Sequence, residues 1–298
     1  MSSHRLSIVI AAVNGAETLR STLESIDRLP ERDRIEVVLV ETAETDCAGF
    51  AREAAGPLRV VRGSTEEGIP RLRYRGVVAS SGDFVAIIED HVDVAPDWAS
   101  VIFETMADAS VSAVGGRVEA GRTGWVDSGL FLADYARYVG PVPEGDHADL
   151  PGNNIAYRRE ALLQHAHALA EGKWESWVND ALAASGHRLI STNRMVVSHC
   201  KGFTLGEFLN LRWHFGRSYA GMRLDHLSPV SRMIHFAGSA ALPAILTLRA
   251  TKTLASRHVP KITLLKSWPL IALVMSVGAA GECVGYLLGP GRSLERVR

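Results

Sequence analysis

Cysteine is scarce and scattered: Cys47, Cys200 and Cys283 are the whole complement of 298 residues, and no two form a Cys-x-x-Cys pair. That spacing excludes a disulfide framework and a cysteine-based zinc site, and it fits a reducing cytosol. No Gly-rich phosphate loop followed by Lys is present, which argues against a nucleotidyltransferase of similar βα build. Internal repeats and low-complexity tracts are absent. Net charge is nearly absent too, at −1, but that balance conceals an asymmetry. Residues 201–298 hold 13 Lys/Arg against 4 Asp/Glu, so residues 1–200 carry a net of −10. A tail both basic and apolar points to anionic lipid rather than nucleic acid, for which no recognised motif is present. At 47% apolar and 22% charged, the chain is ordinary globular material, long enough for one large domain or two modest ones.

What is present begins with strand–helix alternation. The run Ser7-Ile-Val-Ile-Ala-Ala-Val13 predicts a strand rather than a signal peptide. It is short and leads straight into Asn14-Gly15 and a helix carrying Leu19, Leu23 and Ile26. Ile35–Val40, ending at Glu41, and Leu58–Val61 predict two more strands, and a helix bearing Arg71, Arg73, Arg75 and Val78 precedes a fourth. That fourth strand, residues 84–88, stops abruptly at Glu89-Asp90-His91. Such alternation predicts βαβ units and a mostly parallel sheet. Ligands collect outside the carboxyl ends of strands in open α/β sheets, so the acids at 41 and 89–91 share the edge where chemistry is expected. Further on, Val111–Val118 predicts a strand and Val126–Tyr138 a helix, followed by a loop over 139–152. A strand at Ile155–Tyr157, a helix from Glu160 and a helical Asn179–Ser185 stopping at Gly186 come next. Two short strands, Arg188–Ile190 and Met195–Ser198, end at His199.

Certain of these residues form an ordered set. The first strand ends in Asn14, Glu-Val-Val-Leu-Val-Glu41 follows with Thr45-Asp46, and then come Leu-Arg73-Tyr-Arg-Gly76 and the Gly82-Asp83 strand ending in Glu89-Asp90-His91. Gly152-Asn153-Asn154 with Arg158-Arg159-Glu160, Gly186-His-Arg-Leu and Val-Val-Ser-His199 complete it. Together they resemble a family 2 glycosyltransferase of the GT-A fold, over roughly residues 5–220. The resemblance implies an α/β catalytic domain over 1–200, with a Rossmann-like, mostly parallel sheet flanked by helices. Its nucleotide-sugar half would run to about residue 110 and its acceptor half over 111–200. The implied activity is that of an inverting, hexosyltransferase-like enzyme moving a sugar from a nucleotide-sugar donor to a hydroxyl acceptor.

Site roles follow from the same resemblance. Glu89 would contact the nucleotide ribose, and His91 would help hold a divalent metal, Mn2+ or Mg2+, bridging the diphosphate, with Asp90 placed to take over. An imidazole ligand suits Mn2+ better than Mg2+. Asn14, Glu41 and Arg73 would lie on the nucleotide-sugar side, and His199 would be a further metal ligand. Glu175, counted back from Gly186, holds the catalytic-base position; Trp174 and Trp177 would partly desolvate it and strengthen it as a base. Asp180 is the fallback, five residues on. Asn153 and Asn154 would hydrogen-bond sugar hydroxyls on the acceptor side. Each residue also has a plainer reading. Glu41 could be an exposed strand-end acid, Arg73 part of a solvated helix face, and Glu175 a helix N-terminal acid favoured by the macrodipole. His199 could be structural, and the tandem Asn ordinary turn chemistry. The family's Asp-x-Asp is Glu-Asp-His here, and its Asp-Asp after strand two is Glu41-Thr42. Those departures support an alternative: a non-catalytic, membrane-tethered GT-A-like module that binds sugar nucleotides.

In the tail, Leu205, Phe208, Phe215, Tyr219 and Met222 share one helical stripe, predicting a basic amphipathic helix of the interfacial kind. Arg212-Trp213 resembles the end of the Gln-x-x-Arg-Trp motif of processive members, on the acceptor side; Leu209 in the Gln place argues against processive synthesis. Met233–Leu248 and Trp268–Leu288 are apolar, the first interrupted by Pro243 and the second carrying Glu282. A spanning helix needs about 20 apolar residues, which only the second supplies. Basic residues on both sides leave orientation by charge open. The expectation is a membrane-associated helical segment over 201–298, a catalytic domain on the cytoplasmic face of the cell membrane and a lipid- or polyprenyl-linked acceptor. Homo-oligomerisation stays open.

Overall fold

The computed structural model describes residues 5–42, 49–50 and 56–297; Thr45, Asp46 and Cys47 lie outside them. The chain divides into two compact units, Met1–Gly121 with Gly140–Lys201, and Arg122–Val139 with Gly202–Arg298.

The first unit opens with β1 (Leu6–Ala12), α1 (Ala16–Asp27), β2 (Ile35–Glu41), β3 (Leu58–Arg62) and α2 (Ile69–Ala79). It continues with β4 (Phe84–Glu89), β5 (Val92–Val94), α3 (Trp98–Thr105) and β6 (Val111–Ala120). Here α4 (Trp125–Tyr135) departs to the second unit. The chain then returns through β7 (Gly145–Asp146), β8 (Asn154–Arg158), α5 (Arg159–His165), α6 (His167–Ala170), α7 (Glu175–Ala184) and β9 (Arg188–His199). The sheet order is β3-β2-β1-β4-β8-β6-β9-β5, with β7 beside β9. β1, β2 and β4 read as largely apolar runs, interrupted at Ser7 and Glu36, because nearly every residue in them is buried, as in sheets covered on both faces. Register sets Ala12 opposite Glu41 and Ala11 opposite Glu89, so both acids leave the sheet at one edge.

The sheet is mixed rather than mostly parallel. β3-β2-β1-β4 is the parallel block that the alternation predicts, whereas β8 is antiparallel to both β4 and β6. No crossover carries the chain back to the opposite end before β8: Asn154 pairs with Ile88, so β8 starts at the edge where β4 stops. The predicted strands at 188–190 and 195–198 are one strand, β9. Gly116 pairs with Thr192 and Arg117 with Val196, so residues 193–195 bulge out of the ladder. Gly116 permits this, since a Cβ there would run into the Met195 carbonyl. α7 begins at Glu175, earlier than its pattern suggests, and ends in a Schellman motif. Gly186, at φ +81°, donates to Ala183 O and His187 donates to Leu182 O, at 3.1 and 3.0 Å.

The second unit is helical: α4, α8 (Leu205–Arg223), α9 (Pro229–Gly238), α10 (Leu242–Ser256) and α11 (Lys261–Leu288). Leu130, Leu132 and Ala133 of α4, with Ala136 just after it, share a buried cluster with Phe208, Leu254, Ile271 and Val274. This apolar face is why residues 122–139 join the second unit, where a boundary at residue 200 had left them in the acceptor half. A Thr204–Glu207 capping box starts α8. The predicted one-sided stripe does not describe α8. Of that stripe it buries only Phe208, and with it His214, Gly216, Ser218, Ala220 and Gly221; Gly216 faces the Gly278 carbonyl of α11 while Gly281 and Gly285 face the carbonyls of Trp213 and Arg217. Small residues on both helices thus bring the two backbones together. α11 is long and apolar enough to cross a bilayer; α9 and α10 reach that length only as a pair bent by 65°. Val230, Met233, Ile234, Leu248, Leu265 and Leu288 are exposed.

Candidate active site

The first unit gathers the predicted polar residues at the edge where β1, β2 and β4 end. β4 stops at Glu89 and β5 starts at Val92, so Glu89-Asp90-His91 forms the turn between them. Val92 pairs with His199, and Cys200 donates its N–H to the His91 carbonyl at 2.8 Å, which delivers the end of β9 to that turn. His91 Nε2 thereby lies 3.1 Å from His199 Nε2 and 3.3 Å from Glu89 Oε2. One ligand atom from each of Glu89, His91 and His199 falls within 4.8 Å of the others.

Electrostatics distinguish the two imidazoles. Burial alone would lower the His91 pKa, but the Glu89 charge and hydrogen bonds to Asp90 and Glu89 raise it to about 9. Burial and then the neighbouring His91 charge push His199 down to about 3. Two nitrogens 3.1 Å apart need one donor and one acceptor, and these shifts make His91 the donor. Glu89 is held well below the usual carboxylate range: burial opposes this, and His91, Arg73 and His199 outweigh it. Two imidazoles and a carboxylate form a donor set that fits a divalent transition ion better than an all-oxygen Mg2+ shell.

Asp90 does not join that set. Its Oδ2 accepts the backbone N–H groups of Val13 and Asn14, both at 2.7 Å, and its Oδ1 accepts from Asn14 Nδ2 and His91 Nδ1, both at 2.8 Å. Asn14 Oδ1 in turn accepts from Lys201 Nζ. Lys201 escaped the sequence reading; the available signal was an ammonium two residues past a strand-ending His.

Arg73 is buried, not on a solvated face. Its Nη1 lies 2.8 Å from Glu175 Oε2 and its Nη2 3.7 Å from Glu89 Oε1, so one guanidinium links Glu175 to the Glu89-His91-His199 cluster. Glu175 is 2% exposed, and its Oε1 is buried with no hydrogen-bond partner among the described residues. Gly152 lets the backbone approach this closely: a Cβ there would sit 2.6 Å from Glu175 Oε2. Gly152→Ala should therefore lower the melting temperature by about 3–8 °C, an overpacking cost of about 1–3 kcal/mol, and reduce activity with it. Thermal denaturation of the two proteins checks this, and an unchanged melting curve would mean that Glu175 has room to move.

The asparagines are not offered to an acceptor as predicted. Asn154 is fully buried: Oδ1 accepts from Trp98 Nε1 at 2.8 Å, and Nδ2 donates to the Arg117 and Met195 carbonyls at 2.9 Å, tying the β9 bulge to β6. Asn153 donates Nδ2 to Glu89 Oε2 at 3.0 Å, which orients that carboxylate. Glu41 is 3% exposed and lies 3.4 Å from Arg62 Nη2, which rules out the exposed-acid reading. Asp180 is exposed. Arg212 and Trp213 lie on α8 of the second unit, where Arg212 Nη1 pairs with Asp134 at 2.6 Å, and their acceptor role rests on the sequence resemblance alone.

A mixed sheet with helices on its faces and strand-end acids beside two histidines defines a GT-A-type domain. Residues 7–165 match Glycosyl transferase family 2, and the chain belongs to that family. EpsH of Bacillus subtilis (strain 168) is 27% identical over 224 residues, covering 72% of this chain and 57% of EpsH, so the chain spans little more than half of that relative. Among solved structures, the mannosyltransferase PcManGT from Pyrobaculum calidifontis, in complex with GDP-Man and Mn2+, superposes with a TM-score of 0.61 at 19% identity. That match covers 96% of this chain and 87% of PcManGT. GalNAc-T7 with UDP, GalNAc and Mn2+ gives 0.54 at 17% identity, over 67% of this chain and 44% of its own.

Proposed function

We propose that this chain transfers a hexosyl group from a nucleoside-diphosphate sugar to a hydroxyl acceptor with inversion at the anomeric carbon. The observation that carries the reading is the convergence of Glu89, His91 and His199 at one sheet edge, joined through Arg73 to the buried Glu175. Glu175 Oε1, buried without a partner among the described residues, takes the proton of the acceptor hydroxyl as that oxygen attacks. Arg73 holds the other carboxylate oxygen, fixing the direction in which Oε1 faces. Glu89, His91 and His199 would hold a divalent ion, Mn2+ in preference to Mg2+, which would supply positive charge against the departing nucleoside diphosphate. Support for the donor class is that PcManGT was solved with GDP-Man and Mn2+ and GalNAc-T7 with UDP and Mn2+. An unpaired buried carboxylate oxygen is costly to keep, which counts against a module that merely binds.

The acceptor in this reading is lipid-linked and the enzyme works at the cytoplasmic face of the cell membrane. Its support is α11, the exposed apolar residues of α9 to α11, and the Arg249, Lys252, Arg257 and Lys261 that punctuate them. Thermal denaturation with UDP-, GDP- and dTDP-sugars, each with and without Mn2+, tests the donor half. The cognate nucleotide at 100 times its Kd stabilises the fold by about 2.7 kcal/mol. A Mn2+-dependent shift with one nucleotide names the donor class, and no shift with any of them removes the transferase reading.

A further inference from the structure

Among the described residues, four hydrogen-bond donors converge on the two oxygens of Asp90: Val13 N–H, Asn14 N–H, Asn14 Nδ2 and His91 Nδ1. The side chain is buried and lies in the turn between Glu89 and His91, yet it contributes nothing to the ligand group. Asn14 Nδ2 lies 3.3 Å from His91 Nδ1, and both direct their hydrogens to Asp90 Oδ1. A carboxylate that accepts from Nδ1 keeps the hydrogen on that nitrogen, orients the ring, and leaves Nε2 as the lone-pair atom once the ring is neutral. Nε2 is the atom turned to Glu89 and His199.

We infer that Asp90 is a positioning residue for the metal centre, holding His91 as an Nε2 ligand and clasping the loop after β1 to it, and that it does not touch the donor or the ion. This inference rests on the reading of Glu89, His91 and His199 as a metal site. Asp90→Asn tests it, because the substitution keeps shape and one acceptor while placing an NH2 group against Asn14 Nδ2 and His91 Nδ1. Relief requires Nδ1 of His91 to become the acceptor, which moves the hydrogen to Nε2 and spoils it as a ligand. Asn14→Ala is the contrast: it removes one donor to Asp90 and leaves the His91 bond in place.

The full chain is titrated with Mn2+ alone, followed by electron paramagnetic resonance, and melted without metal. In D90N, Mn2+ affinity should fall about 10–100-fold, the range for lost outer-shell partners, and the metal-free melting temperature should fall as well, because four donors lose a buried carboxylate; the Mn2+ titration is run below that melting temperature, and N14A should stay within about threefold of the parent in Mn2+ affinity. Equal Mn2+ affinity in D90N and the parent overturns the inference, as does a loss in N14A as large as in D90N. Absence of Mn2+ binding in the parent instead removes the metal reading itself. Should D90N fail to fold, imidazole 15N spectra of the parent loaded with Zn2+ decide. Zn2+ on Nε2 of His91 with a slowly exchanging Nδ1 hydrogen supports the role, and Zn2+ on Nδ1 overturns it.

Discussion

Replacing Glu175 with Gln should lower kcat about 10²–10⁴-fold, the range for loss of a general base, while donor affinity changes less than about threefold. Glutamine fills the same space, and its carbonyl still accepts from Arg73 Nη1, so the ion pair becomes a charged hydrogen bond instead of vanishing. What disappears is a group able to take a proton. Transfer of labelled sugar measures the first quantity and calorimetry with donor plus Mn2+ the second. Full activity in E175Q would end the base assignment. A matched loss of donor binding would mean that Glu175 acts by steadying Arg73 and Glu89. Loss of the Arg73–Glu175 ion pair also lowers stability, so melting curves accompany the kinetics.

The second large effect concerns pH. With the His91 pKa raised to about 9 from an ordinary 6.5, the metal-free site holds a proton that any ion must displace. Mn2+ affinity should therefore climb about tenfold, ~1.4 kcal/mol, per pH unit from pH 7 towards 9 and then level off, with about one proton released per ion. His199, pushed down to about 3, releases none in that range. Stability of the metal-free protein runs the other way. A raised folded-state pKa contributes stability fully below the unfolded value near 6.5, and that contribution fades as pH rises through about 9. Glu89 and Asp90, both lowered, contribute in the opposite sense, and their share is lost only in acid. Calorimetry in buffers of different ionisation enthalpy counts the protons. A flat affinity from pH 7 to 9 would mean that His91 is neutral before the ion arrives.

Much of this site is legible in the amino-acid order because it sits where local pattern is strongest. The apolar runs of β1, β2 and β4 end in polar residues, and strand ends in a parallel block necessarily share an edge. Their meeting with β9 is not written locally, since the Val92–His199 pairing joins segments more than a hundred residues apart. The pairing of Arg73 with Glu175 was hidden for a similar reason: helix spacing in residues 71–75 shows three arginines and nothing to say which one turns inward. Asn154 misled because a tandem Asn suggested amides offered to sugar hydroxyls, while its amide serves the carbonyls of a bulge that only tertiary pairing creates. α8 misled through its large residues, of which only Phe208 is buried; the glycines and alanine that it also buries carry no such visible pattern.

The polypeptide passes between its two units three times, after Gly121, after Val139 and after Lys201. The hydrophobic end therefore cannot simply be amputated at residue 201. Such a cut would strip Leu130, Leu132 and Ala133 of Phe208, Leu254 and Ile271, leaving a greasy spur midway along the remaining chain. One segment of the helical unit, residues 122–139, is thus an insertion within the chain of the other.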